Sequence, residues 1–337
     1  MRAVRLTAPN EIEVAELPDT VPTADLVLLE PEILGLCGTD IKVVHGDIPV
    51  PLPRALGHEV VGRVISNPTS VGPEPGTRVL VDPSFSCGFC HQCVQLRPHL
   101  CTNGGLMGRD VDGVFADLVA APVERLHKVP ESISDREAGL VQVLGTCVHG
   151  LRSPKVSPGD TAVVLGLGVA GQLMVQLLSA AGATVIGVTR SEEKRKLAGS
   201  HGASAVVAPD DTAELIADMT SGVGPELVVE AVGTEATLIQ AIEWAATGGD
   251  VVMFGTPTGG AQGLPYYQLY FKELTLWCPR AALPEDYRRA IELVAAGNLD
   301  VAEIVTSIHP LDQVEEAFRS AEQAASLKVL VDPTVGR

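Results

Sequence analysis

Between Thr161 and Pro257, apolar runs alternate with helix-forming stretches, and this alternation narrows the choice of fold more than any other feature of the chain. TAVVLGLG, ATVIGVTR, SAVVAPDD, ELVVEAVG and DVVMFGTP each read as a strand closing on a small or polar turn. AGQLMVQLLSAAG, SEEKRKLAGSHG, TAELIADMTSG and TEATLIQAIEWAATGG lie between them and read as helices. Strands joined through helices return to their sheet in parallel, and runs this rich in Val, Leu and Ala suit strands covered on both faces. The pattern predicts a doubly wound parallel sheet.

The first strand–helix turn of that region carries G-x-G-x-x-G, with Gly166, Gly168 and Gly171 in VVLGLGVAG. The first glycine permits the tight turn, the second lets backbone approach a pyrophosphate, and the third lets helix pack on strand. Glycines serving only a tight turn are the lesser alternative in this context. The second strand of such a unit normally ends in an acid that binds the adenosine ribose. Here Thr189 takes that place, followed by Arg190, with Arg195 one helical turn on. A missing carboxylate beside a guanidinium suits a 2′-phosphate and predicts NADP in preference to NAD. The competing expectation is that Arg190 and Arg195 form a solvated face with Glu192 and Glu193.

Outside this region the chain reads differently. LVLLEPEILGLC, HEVVGRVIS, TRVLVDP and FADLVAAP are short strands broken by Gly and Pro. After TLWCPR come a helix (PEDYRRAIELVAAG), a strand (IVTSIHP), a helix (DQVEEAFRSAEQAA) and a last strand (LKVLVDP). That tail cannot extend the parallel sheet in a simple order, so it is expected back on the N-terminal part. A chain of 337 residues exceeds the usual size of one core. Two domains are expected: a discontinuous one of residues 1–146 and 282–337, and a nucleotide-binding one of residues 147–281.

With 24 basic and 42 acidic residues, the formal charge is −18. Such a surface repels phosphate backbones and anionic lipid, which argues against nucleic-acid and membrane partners. No apolar run approaches the roughly 20 residues that span a bilayer. The N-terminus alternates like a strand and lacks a signal core, so a cytoplasmic location is expected. There, cysteines are metal ligands or plain core residues more often than disulfides, and a cluster favours the metal over four unrelated buried cysteines. Four of the seven crowd into SCGFCHQCVQLRPHLC, where Cys87, Cys90, Cys93 and Cys101 form C-x2-C-x2-C-x7-C. Four thiolates make a closed tetrahedral zinc site, without an open position for chemistry. A zinc-ribbon nucleic-acid module is the rival, and the acidic charge argues against it.

A second ligand set is spread wider. GLCGTD carries Cys37, Thr39 and Asp40, and 21 residues after Cys37 comes GHE, with His58 and Glu59. A thiolate, an imidazole and a carboxylate from separate strand ends match a catalytic zinc with an open position. Each residue alone would more often be ordinary core.

In this order and spacing, CGTD, GHE, the four-cysteine lobe and GLGVAG resemble the zinc-containing medium-chain dehydrogenase/reductase family, and the likeness runs through KELTLW to LKVLVDP. The resemblance implies an α/β protein with a GroES-like, partly open β-barrel catalytic domain, a Rossmann domain, and an active site in the cleft between them. It implies that Cys37 and His58 bind the catalytic zinc, with Glu59 as a direct or alternating ligand. The remaining ligand maps onto Gln142, a departure from the family's Cys, Glu or Asp, so that Gln142 or water completes the site. Thr146 corresponds to a residue backing the nicotinamide, and Lys328 to a basic residue that meets the pyrophosphate. Asp40 would orient a ligand from behind; Cys147 and Cys278 would be ordinary buried cysteines.

The implied activity is hydride transfer between an alcohol, polyol- or sugar-like, and NADP or NAD. Zinc would lower the alcohol's pKa so that alkoxide forms near neutral pH. Thr39 would take the proton towards the ribose hydroxyls. Many relatives carry a relay histidine where Lys42 stands, which leaves the proton's exit open, with His45 nearby. Arg109 and Asp110 could contact substrate hydroxyls. The resemblance also implies two zincs per chain and a homodimer or homotetramer. Two rivals are a zinc-free enone or quinone reductase, which would lack both ligand sets, and a non-catalytic nucleotide binder, which would not need Thr39 or an open zinc.

Overall fold

The structure is a computed structural model that describes residues 1–20, 25–257, 260 and 262–335. The chain forms two compact units. One comprises Met1–Thr146, Ala281–Gly297 and Val301–Arg337, and the other Cys147–Arg280 with Asn298–Asp300.

The second unit holds a six-stranded sheet in the order Ala205–Val207, Thr184–Val188, Thr161–Leu165, Leu227–Glu230, Asp250–Met253 and Thr275–Trp277. Every neighbouring pair is parallel. The chain winds outward in both directions from Thr161–Leu165, so the strand order reverses between that strand and Leu227–Glu230, where Leu165 lies opposite Glu230. The inner strands are buried on both faces, which is why they read as continuous apolar runs. On one face, Leu238, Ala241 and Ile242 of the helix Glu235–Trp244 pack on Val163, Val228 and Val251. Each fully buried Val or Leu side chain contributes roughly 1.5–3 kcal/mol relative to its exposed state. The three-residue piece Asn298–Asp300 joins this unit through Gln176, whose amide donates to the Asp300 carbonyl at 2.9 Å and accepts from the Asp300 N–H at 2.7 Å.

The first unit is built on the strand Leu26–Leu36, whose 11 residues are long enough to serve several partners. Glu59–Ser66 pairs along one edge, and Val119–Pro122 and Lys328–Asp332 follow each other along the other, all antiparallel. Arg78–Val81 and Leu126–Lys128 extend the sheet beyond Glu59–Ser66, and Val305–Pro310 extends it beyond Lys328–Asp332. A smaller sheet contains Glu11–Glu16, Arg2–Ala8 and Arg54–Ala55. Register sets up the site. Gly35 lies opposite both Glu59 and Leu330, and Leu36 lies opposite Val329. The end of the long strand, the start of the next and the return strand therefore converge around Cys37. No helix among the described residues is long and apolar enough to cross a membrane.

Candidate functional site

At Cys37 the chain turns directly from the strand into the helix Gly38–His45, with Cys37 as its N-cap residue. Asp40, at the third helical position, accepts from the Cys37 N–H at 3.0 Å through Oδ2. Its Oδ1 lies 3.2 Å from Nδ1 of His58. One carboxylate thus fixes both the cap and the imidazole, leaving Nε2 as the ring nitrogen open to a cation. Ligand atoms of Cys37, His58 and Glu59 all lie within 4.8 Å of one another. Burial pulls the His58 pKa down, but the Asp40 carboxylate and the Cys37 sulfur outweigh it and hold the ring well above the usual value. A cation entering here therefore displaces a proton.

Glu59 is 2% exposed, as is Lys328, whose ammonium pairs with Glu59 Oε2 and donates to the Leu36 carbonyl at 3.2 Å. The pair fits because residue 35 is glycine: a Cβ there would stand 2.2 Å from Glu59 Oε2 and 3.0 Å from Lys328 Cε. Glu59 Oε1 is buried with no hydrogen-bond partner among the described residues. A bare buried carboxylate oxygen beside a thiol and an imidazole is costly as it stands and fits a zinc ion in chemistry and number of donors. Gln142 is buried in the same unit on the helix Asp135–Gly150, with its amide beside the buried Tyr287 hydroxyl.

The four lobe cysteines also come together. Sulfur–sulfur distances are 3.5 Å for Cys90–Cys93, 3.7 Å for Cys90–Cys101 and 3.5 Å for Cys87–Cys101. A tetrahedron with metal–sulfur bonds of about 2.3 Å has edges of about 3.8 Å, so these sulfurs already stand close to a zinc coordination shell. Backbone N–H groups of Cys93 and Thr102 draw the Cys90 thiol down to about 5. A thiolate is the form that binds metal.

In the second unit, Gly166 has φ +100°, and a Cβ on Gly171 would stand 1.9 Å from the Gly166 carbonyl oxygen. Gly168 faces open space, with nothing within 4 Å of where its Cβ would be. It is the N-cap of the helix Val169–Ala180 and has no side chain to satisfy the first-turn N–H groups. The free N–H groups and the open face above them fit the pyrophosphate of a dinucleotide. Thr189 ends the region of the second strand, half-buried, and Arg190 is exposed, its guanidinium making no hydrogen bond or ion pair among the described residues. Arg195 instead donates through Nη1 to the carbonyls of Thr189, at 2.6 Å, and Arg190, at 2.9 Å. Glu192 pairs with Lys196 at 2.7 Å, and Glu193 accepts from the Ser191 hydroxyl at 3.0 Å.

Residues 23–131 match the alcohol dehydrogenase GroES-like domain, and residues 169–296 match the zinc-binding dehydrogenase domain. The chain is 30% identical to 2-dehydro-3-deoxy-L-galactonate 5-dehydrogenase of Pseudoalteromonas atlantica, over 98% of either chain. It is 28% identical to sorbitol dehydrogenase of Halalkalibacterium halodurans, over 95% of each. A solved structure from Sinorhizobium meliloti 1021, described as a zinc-binding dehydrogenase bound to NADP, superposes with a TM-score of 0.93 at 34% identity, covering 98% of this chain and 99% of that one. The chain belongs to the zinc-containing medium-chain dehydrogenase/reductase family.

Within this family frame, a GroES-like domain and a Rossmann domain, several residues depart from expectation. Lys328, expected at the pyrophosphate, is turned inward onto Glu59 and the Leu36 carbonyl. Nothing local in the sequence could have shown this, since register across three strands brings together two residues 269 apart. Cys278, expected in the core, is exposed, because it follows the edge strand Thr275–Trp277. Cys147 is buried as expected. Thr39 is half-buried in the first helical turn beyond Cys37, and the Thr146 hydroxyl donates to the Val143 carbonyl at 2.7 Å. His45 is half-exposed and lies 2.7 Å from Glu322. Arg109 and Asp110 pair with each other at 2.7 Å.

Proposed function

We propose that this chain is a zinc-dependent alcohol dehydrogenase that transfers hydride between a polyol- or sugar-like alcohol and NADP(H) in preference to NAD(H). The observation that carries this proposal is the Cys37–His58–Glu59 cluster with its unpartnered buried carboxylate oxygen. Zinc held by Cys37, His58 and Glu59, with Gln142 or water, would supply a Lewis acid at the substrate oxygen, and the nicotinamide would supply the hydride exchange partner. Asp40 holds the His58 ring in one tautomer and one orientation. Lys328 holds one oxygen of Glu59 and leaves the other for the cation side. Thr39 Oγ1 is assigned the substrate hydroxyl proton, and Thr146 the support of the nicotinamide. A second zinc in the four-cysteine lobe is structural, giving two per chain.

The names of the sugar-acid and sorbitol dehydrogenases support the substrate class, and the NADP-bound relative supports the cofactor. Arg190, exposed and unengaged beside Thr189, is the residue assigned to the 2′-phosphate. Arg190→Ala should weaken NADPH binding about tenfold, the size of one charge-assisted contact, and leave NADH nearly unchanged. Equal losses in a fluorescence titration with both cofactors would remove Arg190 from that role.

A homodimer or homotetramer, cytoplasmic and without nucleic-acid or membrane partners, completes the proposal. Tyr266, Tyr267, Tyr270 and Phe271 are 67–85% exposed on one short helix, an apolar surface that suits a second copy. The deciding experiment follows cofactor absorbance over alcohols, polyols and aldoses with NAD and NADP, on a preparation assayed for zinc and for mass by light scattering. Turnover on polyols or sugars with NADP, near two zincs per chain, is the expected result. No turnover on any substrate would favour a non-catalytic nucleotide binder, and a monomer would end the oligomer assignment.

A further inference from the structure

At the end of the strand Leu227–Glu230, one carboxylate gathers the loop that follows. Glu230 is 0% exposed. Its Oε1 accepts from the N–H of Val232 at 2.7 Å, the N–H of Gly233 at 2.8 Å and the Thr237 hydroxyl at 2.8 Å. Its main-chain carbonyl accepts from Phe254 and Gly255 at 2.8 and 2.9 Å, tying in the loop after the next strand. Its Oε2 is buried with no partner among the described residues. A half-paired buried carboxylate is not what stability alone would place there, since a well-packed apolar side chain would avoid the desolvation cost.

The loop so held lies on the glycine turn. Ala231 N–H donates to the Leu165 carbonyl at 2.8 Å, and a Cβ on Gly166 would stand 2.6 Å from Val232 Cγ2. Val232 is 48% exposed, so its side chain faces outward beside the turn. Glu230 and Leu165 are register partners where the strand order reverses, and open α/β sheets bind their ligands at that reversal, beyond the carboxyl ends of the strands.

We propose that Glu230 is a positioning residue for the nicotinamide cofactor: its carboxylate clamps the Ala231–Gly233 loop against the glycine turn and so fixes one wall of the dinucleotide site. This rests on the proposed function only in taking the ligand to be a nicotinamide dinucleotide. Glu230→Ala leaves the Val232 and Gly233 N–H groups without their acceptor. Glu230→Asp keeps the charge but shortens its reach by one methylene. Glu230→Gln keeps a carbonyl oxygen that can accept both N–H groups.

Each variant is titrated with NADPH and with NADH by fluorescence, without substrate, and melted without cofactor. Glu230→Ala and Glu230→Asp should raise Kd about tenfold, or about 1.4 kcal/mol, by the same factor for both cofactors. Glu230→Gln should stay within about threefold of the parent. If Glu230→Ala does not fold, Glu230→Asp carries the same comparison. An unchanged Kd with a lowered Tm would make Glu230 purely structural and overturn the proposal, and so would a Gln variant as weak as Ala. Equal NADPH and NADH affinities in the parent would count against the NADP preference alone and leave the Glu230 result to be read unchanged.

Discussion

Cys37→Ser should leave a folded protein that still binds cofactor and should lower kcat/KM by roughly 10³-fold or more, about 4 kcal/mol of transition-state stabilisation. Folding should survive because serine is itself a favoured N-cap residue, and Asp40 still accepts from the residue 37 N–H. The chemistry should not survive. A serine hydroxyl is far less acidic than a thiol and is a poor ligand for a borderline-soft ion, which leaves His58 and Glu59 to hold it. Zinc content should fall from near two to near one per chain, with the lobe still loaded. The checks are steady-state kinetics beside metal analysis. Normal activity would remove Cys37 from the catalytic centre, and unchanged zinc content would move the second ion elsewhere.

Lys328→Met should destabilise the protein by about 3–5 kcal/mol, the range for removing one partner of a buried ion pair. Methionine fills much the same volume, so the loss isolates the charge. In zinc-free protein, where the comparison is made, Glu59 would keep its burial with neither oxygen paired. Glu59→Gln combined with Lys328→Met should recover most of the loss, because the stranded charge is gone. Urea denaturation of the two single variants and the double one closes the cycle. A cost below about 1 kcal/mol for Lys328→Met would show that Glu59 has another source of compensation.

What was legible in the sequence was local. The parallel sheet could be read because its strands are apolar runs that alternate with helix-forming stretches, whereas the order of the strands carries no local signal. The lobe could be read because its four sulfurs sit in one short loop, where spacing nearly determines geometry. The CGTD segment held a further local signal, an acid three residues after the cap, which marks Cys37 as the start of a helix. The Glu59–Lys328 pair had no such signal, since it depends on the register of three strands. Glu230 was hidden for another reason. A lone acid at the end of an apolar run does not reveal that two N–H groups and a hydroxyl will turn back onto it.

The long strand Leu26–Leu36 also sets an order of assembly. Its last residues pair with Val329–Val331, almost 300 positions later. In synthesis from the N-terminus, every strand of the six-stranded sheet is made before the strand that carries Lys328. Until then Glu59 has no counter-charge, and the long strand keeps an open edge beside it. Closing so long a loop is slow relative to local pairing. The end of the first unit that carries Cys37, His58 and Glu59 therefore cannot complete its strand pairing until residues 328–332 have been made.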